Sequence, residues 1–249
     1  MKLNLISLIC FSVVSNAVLS QIEVPKEVQL PKVKKEKVKV KDSIVKTNEL
    51  LISYIPHSSS RSLVSNEEPY GKVLGVYADE TSTVNHDFEL SFRAPMKKGL
   101  GYKLGMRYAT FGEQYKFQLV DSIYTYQTTY KYVALPIGLD YKLKLTNGIA
   151  WYSSISFLPQ LNLGRKQEIS NTTSNGKETK TTDKTATKVN QATIGFVVST
   201  GFRISLAKNV HFYAMPEFRI NTSNSFISQA PFIHKAKTVG VLFGFGIGI

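Results

Sequence analysis

Cysteine is almost missing from this chain. Cys10 is the only one in 249 residues, and a single thiol excludes an internal disulfide framework and any cysteine-clustered metal site. It lies in a segment with the marks of an export signal. Lys2 supplies the positive end, Leu3 to Val14 is mostly apolar, and Val18-Leu19-Ser20 offers a small residue before a cut at Gln21. Ser7-Leu8-Ile9 lacks the small residues expected before a lipidated cysteine, so Cys10 reads as part of the signal. Long hydrophobic runs are also missing. Nothing after residue 20 approaches the roughly 18 consecutive apolar residues of a membrane-crossing helix. Catalytic signatures are absent as well: there is no G-x-S-x-G, H-E-x-x-H, Walker loop or EF-hand spacing. No cofactor and no metal site are implied.

Negative charge is in short supply. The 18 Asp and Glu face 31 Lys and Arg, for a formal net charge of +13. Such basicity suits anionic lipid head groups or cell-wall polymer. Nucleic acid is not expected as a partner of an exported chain. The basic density peaks between Gln21 and Asn48, whose core reads KVKKEKVKVKD. Val alternates with Lys there without giving an apolar face to bury, so the stretch reads as a solvated periplasmic tether. The sharper alternative is a basic arm, Lys26 to Lys46, that touches peptidoglycan, anionic lipid or a periplasmic protein.

What the chain has in abundance is alternation. In Lys131 to Leu145 (KYVALPIGLDYKLKL), Val133, Leu135, Ile137, Leu139, Tyr141, Leu143 and Leu145 form one set, all apolar. Tyr132, Ala134, Pro136, Gly138, Asp140, Lys142 and Lys144 form the other, small or polar. Side chains on a strand point to opposite faces with period 2, so this is a strand with one oily and one polar face, longer than an ordinary soluble strand. The pattern recurs over 87–94, 100–109, 149–163, 191–204, 210–221 and 238–249. Two candidates compete for the first strand, 49–56 and 71–79; in the former, Leu51 and Ile55 blur the alternation.

Soluble sandwiches alternate too, but three details favour lipid. The non-apolar set holds Gly, Ser and charges of both signs. Aromatics (Tyr102, Tyr108, Tyr141, Trp151, Phe212) recur near strand ends, as interfacial girdles require. Connections alternate in length: long at 57–85, 112–128, 164–188 and 221–234, short at 95–99, 146–148 and 207–209. The expected fold is all-β, an eight-stranded antiparallel transmembrane β-barrel with short periplasmic turns and long extracellular loops. It would occupy 49–249, behind a signal peptide at 1–20 and the linker at 21–48. Pro136 and Pro216 each remove a ladder donor, so a bulge or local rim is expected near them.

The run Gly105 to Lys116 (GMRYATFGEQYK), then Asp121-Ser122, then Tyr130 to Tyr141 (YKYVALPIGLDY) resembles the Bacteroidota-type outer-membrane β-barrel domain. That group includes porin-T-like proteins and has the architecture of OmpX/OmpA-sized barrels. Its most specific part here is the Y-x-x-x-P pattern of Tyr132 and Pro136. The resemblance covers about residues 49 to 249. It implies fold and an outer-membrane location, with no shared catalytic set. The chain departs from a common barrel ending by finishing on Ile249.

Eleven charges fall on the polar set: Asp87, Glu89, Arg93, Lys103, Arg107, Asp140, Lys142, Lys144, Arg203, Glu217 and Arg219. Inside a narrow barrel they need partners, because an unpaired buried charge is costly. They are expected to form a salt-bridged plug, with a narrow ion path or gate as the alternative. The histidines are His57, His86, His211 and His234; His86-Asp87 reads as the outer rim, and His57 and His234 as loop ends. The functional expectation is a monomeric barrel with a structural or interaction role in the envelope. It would meet outer-membrane lipid, lipopolysaccharide and, during insertion, the barrel-assembly machinery. The alternatives are an accessory component of a secretion or envelope-assembly machine and a rim-located hydrolase or lipid-modifying enzyme.

Overall fold

Residues that alternate in polarity are all suited at once only by an extended backbone, because only there do neighbours face opposite environments. The described residues take that backbone almost throughout. A computed structural model describes residues 47–65, 80–119, 121–184, 189–227 and 232–249. The export signal, the basic arm to residue 46 and the rival first strand at 71–79 lie outside the described residues.

The strands are β1 (Glu49–Ser65), β2 (Glu80–Pro95), β3 (Leu100–Leu119), β4 (Ser122–Ala134), β5 (Ile137–Lys144), β6 (Ile149–Thr173), β7 (Glu178–Asp183), β8 (Ala192–Ala207), β9 (Val210–Asn221) and β10 (Phe232–Gly248). All pairings are antiparallel. β10 pairs with β9 on one side and with β1 on the other, so the sheet closes on itself. β4 and β5 lie end to end between β3 and β6, and β7 pairs only with β6 above the ring. Counting β4 and β5 as one wall position, the ring has eight strands. Closure leaves the ring without bare edge N–H and C=O groups, which lipid could not satisfy.

The two faces separate cleanly. Ile52, Leu90, Leu104, Leu139, Ile155, Val198, Phe218 and Phe243, one from each ring position, all point outward and are exposed. Together with their neighbours they form an apolar belt around the whole barrel, far larger than the exposed patch a soluble monomer tolerates. Aromatic rings gather at the belt's two borders. Trp151 packs edge-on against Phe202 at 4.9 Å and Phe212 meets Phe245 at 5.4 Å near the short-turn end. Tyr54 meets Phe88 at 5.4 Å at the other end.

Several sequence expectations are corrected. The first strand is 49–65, and Leu51 and Ile55 blur the alternation because they point inward and are buried, where they pack with Tyr152, Tyr213, Met215 and Leu242. The long connections are largely strand. β3 and β4 pair out to Leu119 and Ser122, and β6 and β7 form a further ribbon. Above the belt both faces of a ribbon meet water, so its sequence need not alternate in hydrophobicity, and the ladder itself holds it extended. The fourth strand is interrupted at Leu135-Pro136, where Pro136 lacks an N–H and its carbonyl instead accepts from Gly105 N–H at 3.0 Å. Pro216 causes no bulge; it stays in register opposite Val241. The shifts of register fall at Ser82/Phe88, Lys131/Tyr132 and Ser205/Ala207.

Candidate functional site: the barrel interior

The inner face of the ring is packed in layers. The floor, towards the short turns, is aromatic and apolar. Arg93 lies there, buried, with its guanidinium 4.7 Å from the Tyr213 ring centroid and 5.2 Å from that of Tyr152. Its Nε is 3.0 Å from Asp140 Oδ2. The Tyr213 hydroxyl donates to Glu49 Oε2 at 2.6 Å. Gly246 makes room for this: a Cβ there would overlap the Glu49 carboxylate.

Above the floor stands the charge network. Arg107 is its centre and is fully buried. It donates to both oxygens of Glu217, from Nη1 at 2.7 Å and Nη2 at 2.8 Å, and from Nε to Glu89 Oε2 at 2.9 Å. Lys103 Nζ holds the other Glu89 oxygen at 2.6 Å. Arg219 donates to Asp87 Oδ2 at 2.7 Å and to the Thr110 carbonyl at 2.8 Å. Asp87 Oδ1 takes the Thr110 N–H at 2.7 Å and lies 2.9 Å from His57 Nε2. The network joins β1, β2, β3 and β9, so it ties the walls of the ring together across the lumen. Bidentate, charge-assisted bonds of this kind are the strong ones, and they are what makes burying so many charges tolerable.

A second cluster lies beyond the belt, where outward apolar residues of β3 end at Tyr108. Phe111, Tyr130, Phe226 and His234 pack ring to ring. His234 Nε2 lies 2.9 Å from Glu113 Oε2, with Arg61 Nη1 at 3.4 Å from the same oxygen, and the Tyr130 hydroxyl donates to Glu113 Oε1 at 3.2 Å. Burial alone would push the Glu113 carboxyl up; the His234 imidazole, Arg61 and the Tyr130 hydroxyl more than offset that and hold it below its ordinary value.

The eleven candidate charges therefore divide. Asp87, Glu89, Lys103, Arg107, Glu217 and Arg219 meet in one network, and Arg93 and Asp140 pair in the floor. Lys142 and Arg203 are half-buried at the short-turn mouth, apart from the network. Lys144, the last residue of β5, is exposed. The histidines are also re-sited. His57 and His234 are strand residues buried inside the barrel rather than loop ends. His86 faces outward, 2.8 Å from the Tyr54 hydroxyl and stacked on that ring, whereas Asp87 faces inward. Neighbours on a strand cannot serve one site, so the His86-Asp87 pairing dissolves. Sequence reasoning put His57 and His234 at loop ends and did not single out Glu49, Tyr213 or Glu113 as interior groups. The available signal was parity: extending β1, β3 and β10 by two turns of the alternation puts His57, Glu113 and His234 on the inner face. Among the described residues no group of three or more His, Asp or Glu is close enough to hold a metal ion.

No family model matches the chain, and no curated protein matches it. Solved structures of small outer-membrane barrels are similar in outline. The outer membrane protein OprG of Pseudomonas aeruginosa is 13% identical, with a TM-score of 0.47, covering 82% of this chain and 97% of that one. Neisserial surface protein A is 11% identical, with a TM-score of 0.43, covering 81% and 97%. The outer membrane protease OmpT of Escherichia coli is 8% identical, with a TM-score of 0.44, covering 82% and 97%.

Proposed function

We propose that this chain is a small outer-membrane barrel whose lumen is plugged by its own charges and whose role in the cell envelope is structural or interactive. The observation that carries this reading is the coupling of two features. An unbroken apolar belt surrounds the ring, and the interior it encloses is filled by paired charges rather than left as a channel. A belt of that extent needs hydrocarbon, and an eight-stranded barrel has an interior that side chains can fill. In this orientation the short turns face the periplasm and the β3–β4 and β6–β7 ribbons stand outside the cell. The finer likeness to Bacteroidota-type barrels rests on the Tyr132–Pro136 pattern and belongs to the same proposal. His57 and Asp87 are committed to the plug through Arg219, which gives the hydrolase reading no support from that pair.

Cell fractionation tests the reading. The chain is expected in the detergent-soluble outer-membrane fraction, migrating faster on gels unheated than boiled, as closed barrels do. A monodisperse product in detergent-free buffer would end the proposal.

A further inference from the structure

The apolar belt runs right up to the tight turns. Met96, Leu145 and Leu206, one beside each of the three short connections, are exposed, as is Ile249 after β10. The Trp151–Phe202 and Phe212–Phe245 pairs stand at the same end. Apolar side chains left out in this way need hydrocarbon as far as the turns. The turns therefore lie at the edge of the belt, where a bilayer carries its head groups.

Each turn also brings lysine. Lys97 and Lys98 lie between β2 and β3, Lys144 ends β5 just ahead of the next turn, and Lys208 lies between β8 and β9; all four are exposed. None of the three connections contains an acid. Among the described residues none of these lysines forms an ion pair. The acids of this end, Glu49 and Asp140, are buried and face Tyr213 and Arg93. At the far end exposed acids accompany the lysines, and Lys166 and Lys180 pair with Glu168 and Glu178. The stretch 21–46 is itself basic and brings no net counter-charge.

Lys98 supplies a second observation. The Leu100 N–H donates to the Lys97 carbonyl at 3.2 Å, which places Lys98 and Gly99 at the centre of a tight turn with φ +57° and +80°. A turn with both central φ positive favours Asn-Gly or Asp-Gly, and a lysine holds that left-handed backbone at a cost. Asn would suit the backbone better, so the backbone does not account for the lysine. The side chain does, because it sets a second cation beside Lys97 at the level of the head groups.

We propose that the three short turns form a docking rim for anionic phospholipid head groups of the leaflet they face. Lys97, Lys98, Lys144 and Lys208 hold the phosphates, while Met96, Leu145 and Leu206 enter the acyl layer. The inference rests on the outer-membrane reading above and adds the class of lipid. Lysine stems lie along apolar surface with the ammonium at the phosphates, and the attraction of a basic cluster to anionic lipid is cumulative. Cell-wall polymer also carries anions, but it offers nothing to the apolar side chains that stand among the lysines. The rim needs no cavity and leaves the plug as it is.

The test places the full chain in nanodiscs of phosphatidylcholine and replaces that lipid stepwise with phosphatidylglycerol at constant total lipid. Backbone amide NMR signals of Gly99, Gly148 and Asn209 report on the three turns, and Gly176, in the β6–β7 turn, reports on the far end. The first three should shift saturably while Gly176 stays fixed. A variant with Lys97→Gln, Lys98→Asn, Lys144→Gln and Lys208→Gln should respond at least about threefold less. Salt at about 0.5 M should weaken the wild-type response, since it screens exposed charge, and this arm decides if the variant does not fold. An equal response in the folded variant, an equal shift of Gly176, or no response overturns the proposal. So does a shift of the turn signals only when soluble peptidoglycan fragments are added to pure phosphatidylcholine discs, which assigns the rim to the cell wall. A chain that never enters nanodiscs and stays monodisperse without detergent sinks the outer-membrane reading itself, whereas one that enters them without responding sinks only the rim.

Discussion

Arg107 shows what a single residue does in this interior. Its three donating nitrogens take Glu89 from the adjacent strand and Glu217 from across the lumen. A buried ion network is poor evidence of net stability, because desolvation consumes much of the Coulombic gain. Breaking one is a different matter, since the orphaned acids stay buried. Arg107→Ala is expected to cost about 3–5 kcal/mol, in the range for a broken buried pair. Equilibrium urea unfolding in phospholipid vesicles measures it. Adding Glu217→Ala should cost less than the two single changes summed, because the second removes an acid that the first has stranded. Additive costs would show that the two residues do not share one network.

At the scale of the element, each strand does two jobs along its length. Within the belt, period-2 alternation sorts side chains between hydrocarbon and lumen; above it, the same strand continues as a ribbon wet on both faces. The position of a substitution along a strand should therefore matter more than its chemistry. Leu139→Arg, in the belt on β5, is expected to destabilise the barrel by about 2–4 kcal/mol if it lies near the bilayer midplane. Gln127→Arg, exposed on the β4 ribbon, should change stability by less than about 0.5 kcal/mol. The same urea series reads both, and equal effects would contradict the placement of the belt. The tight turns limit freedom at the other end. Gly99 has φ +80°, and a Cβ there would meet the Lys142 carbonyl at 2.5 Å, so the β2–β3 turn is closed by glycine for steric as well as conformational reasons.

For the whole molecule, closure and filling go together. The ring joins β1 to β10 and the interior is layered, from the Arg93 floor through the Arg107 network to the Phe111–His234 cluster. Each layer sets side chains across the lumen, and on the proposed reading together they plug it. In planar bilayers the purified protein should therefore give no stable single-channel steps, even at voltages that open wide porins. Reproducible steps would show that the network parts and that the gate alternative describes the lumen better.

The amino-acid sequence by itself determined which residues face in and which face out. That information is local: it follows from the period of a strand, and it sufficed for the ring of eight. It also held the parity that sends Leu51 and Ile55 inward, although their apolar character hid it. Only the tertiary structure decided which inward charges meet. Arg107 and Glu217 are 110 residues apart, and their encounter depends on how closure, strand tilt and register bring β3 and β9 across the lumen. The same long-range geometry parted His86 from Asp87, left Lys144 outside, gathered Lys142, Arg203 and His211 at one mouth, and drew the ribbons out past the belt. Faces are set residue by residue, whereas partners are set by the way the sheet closes.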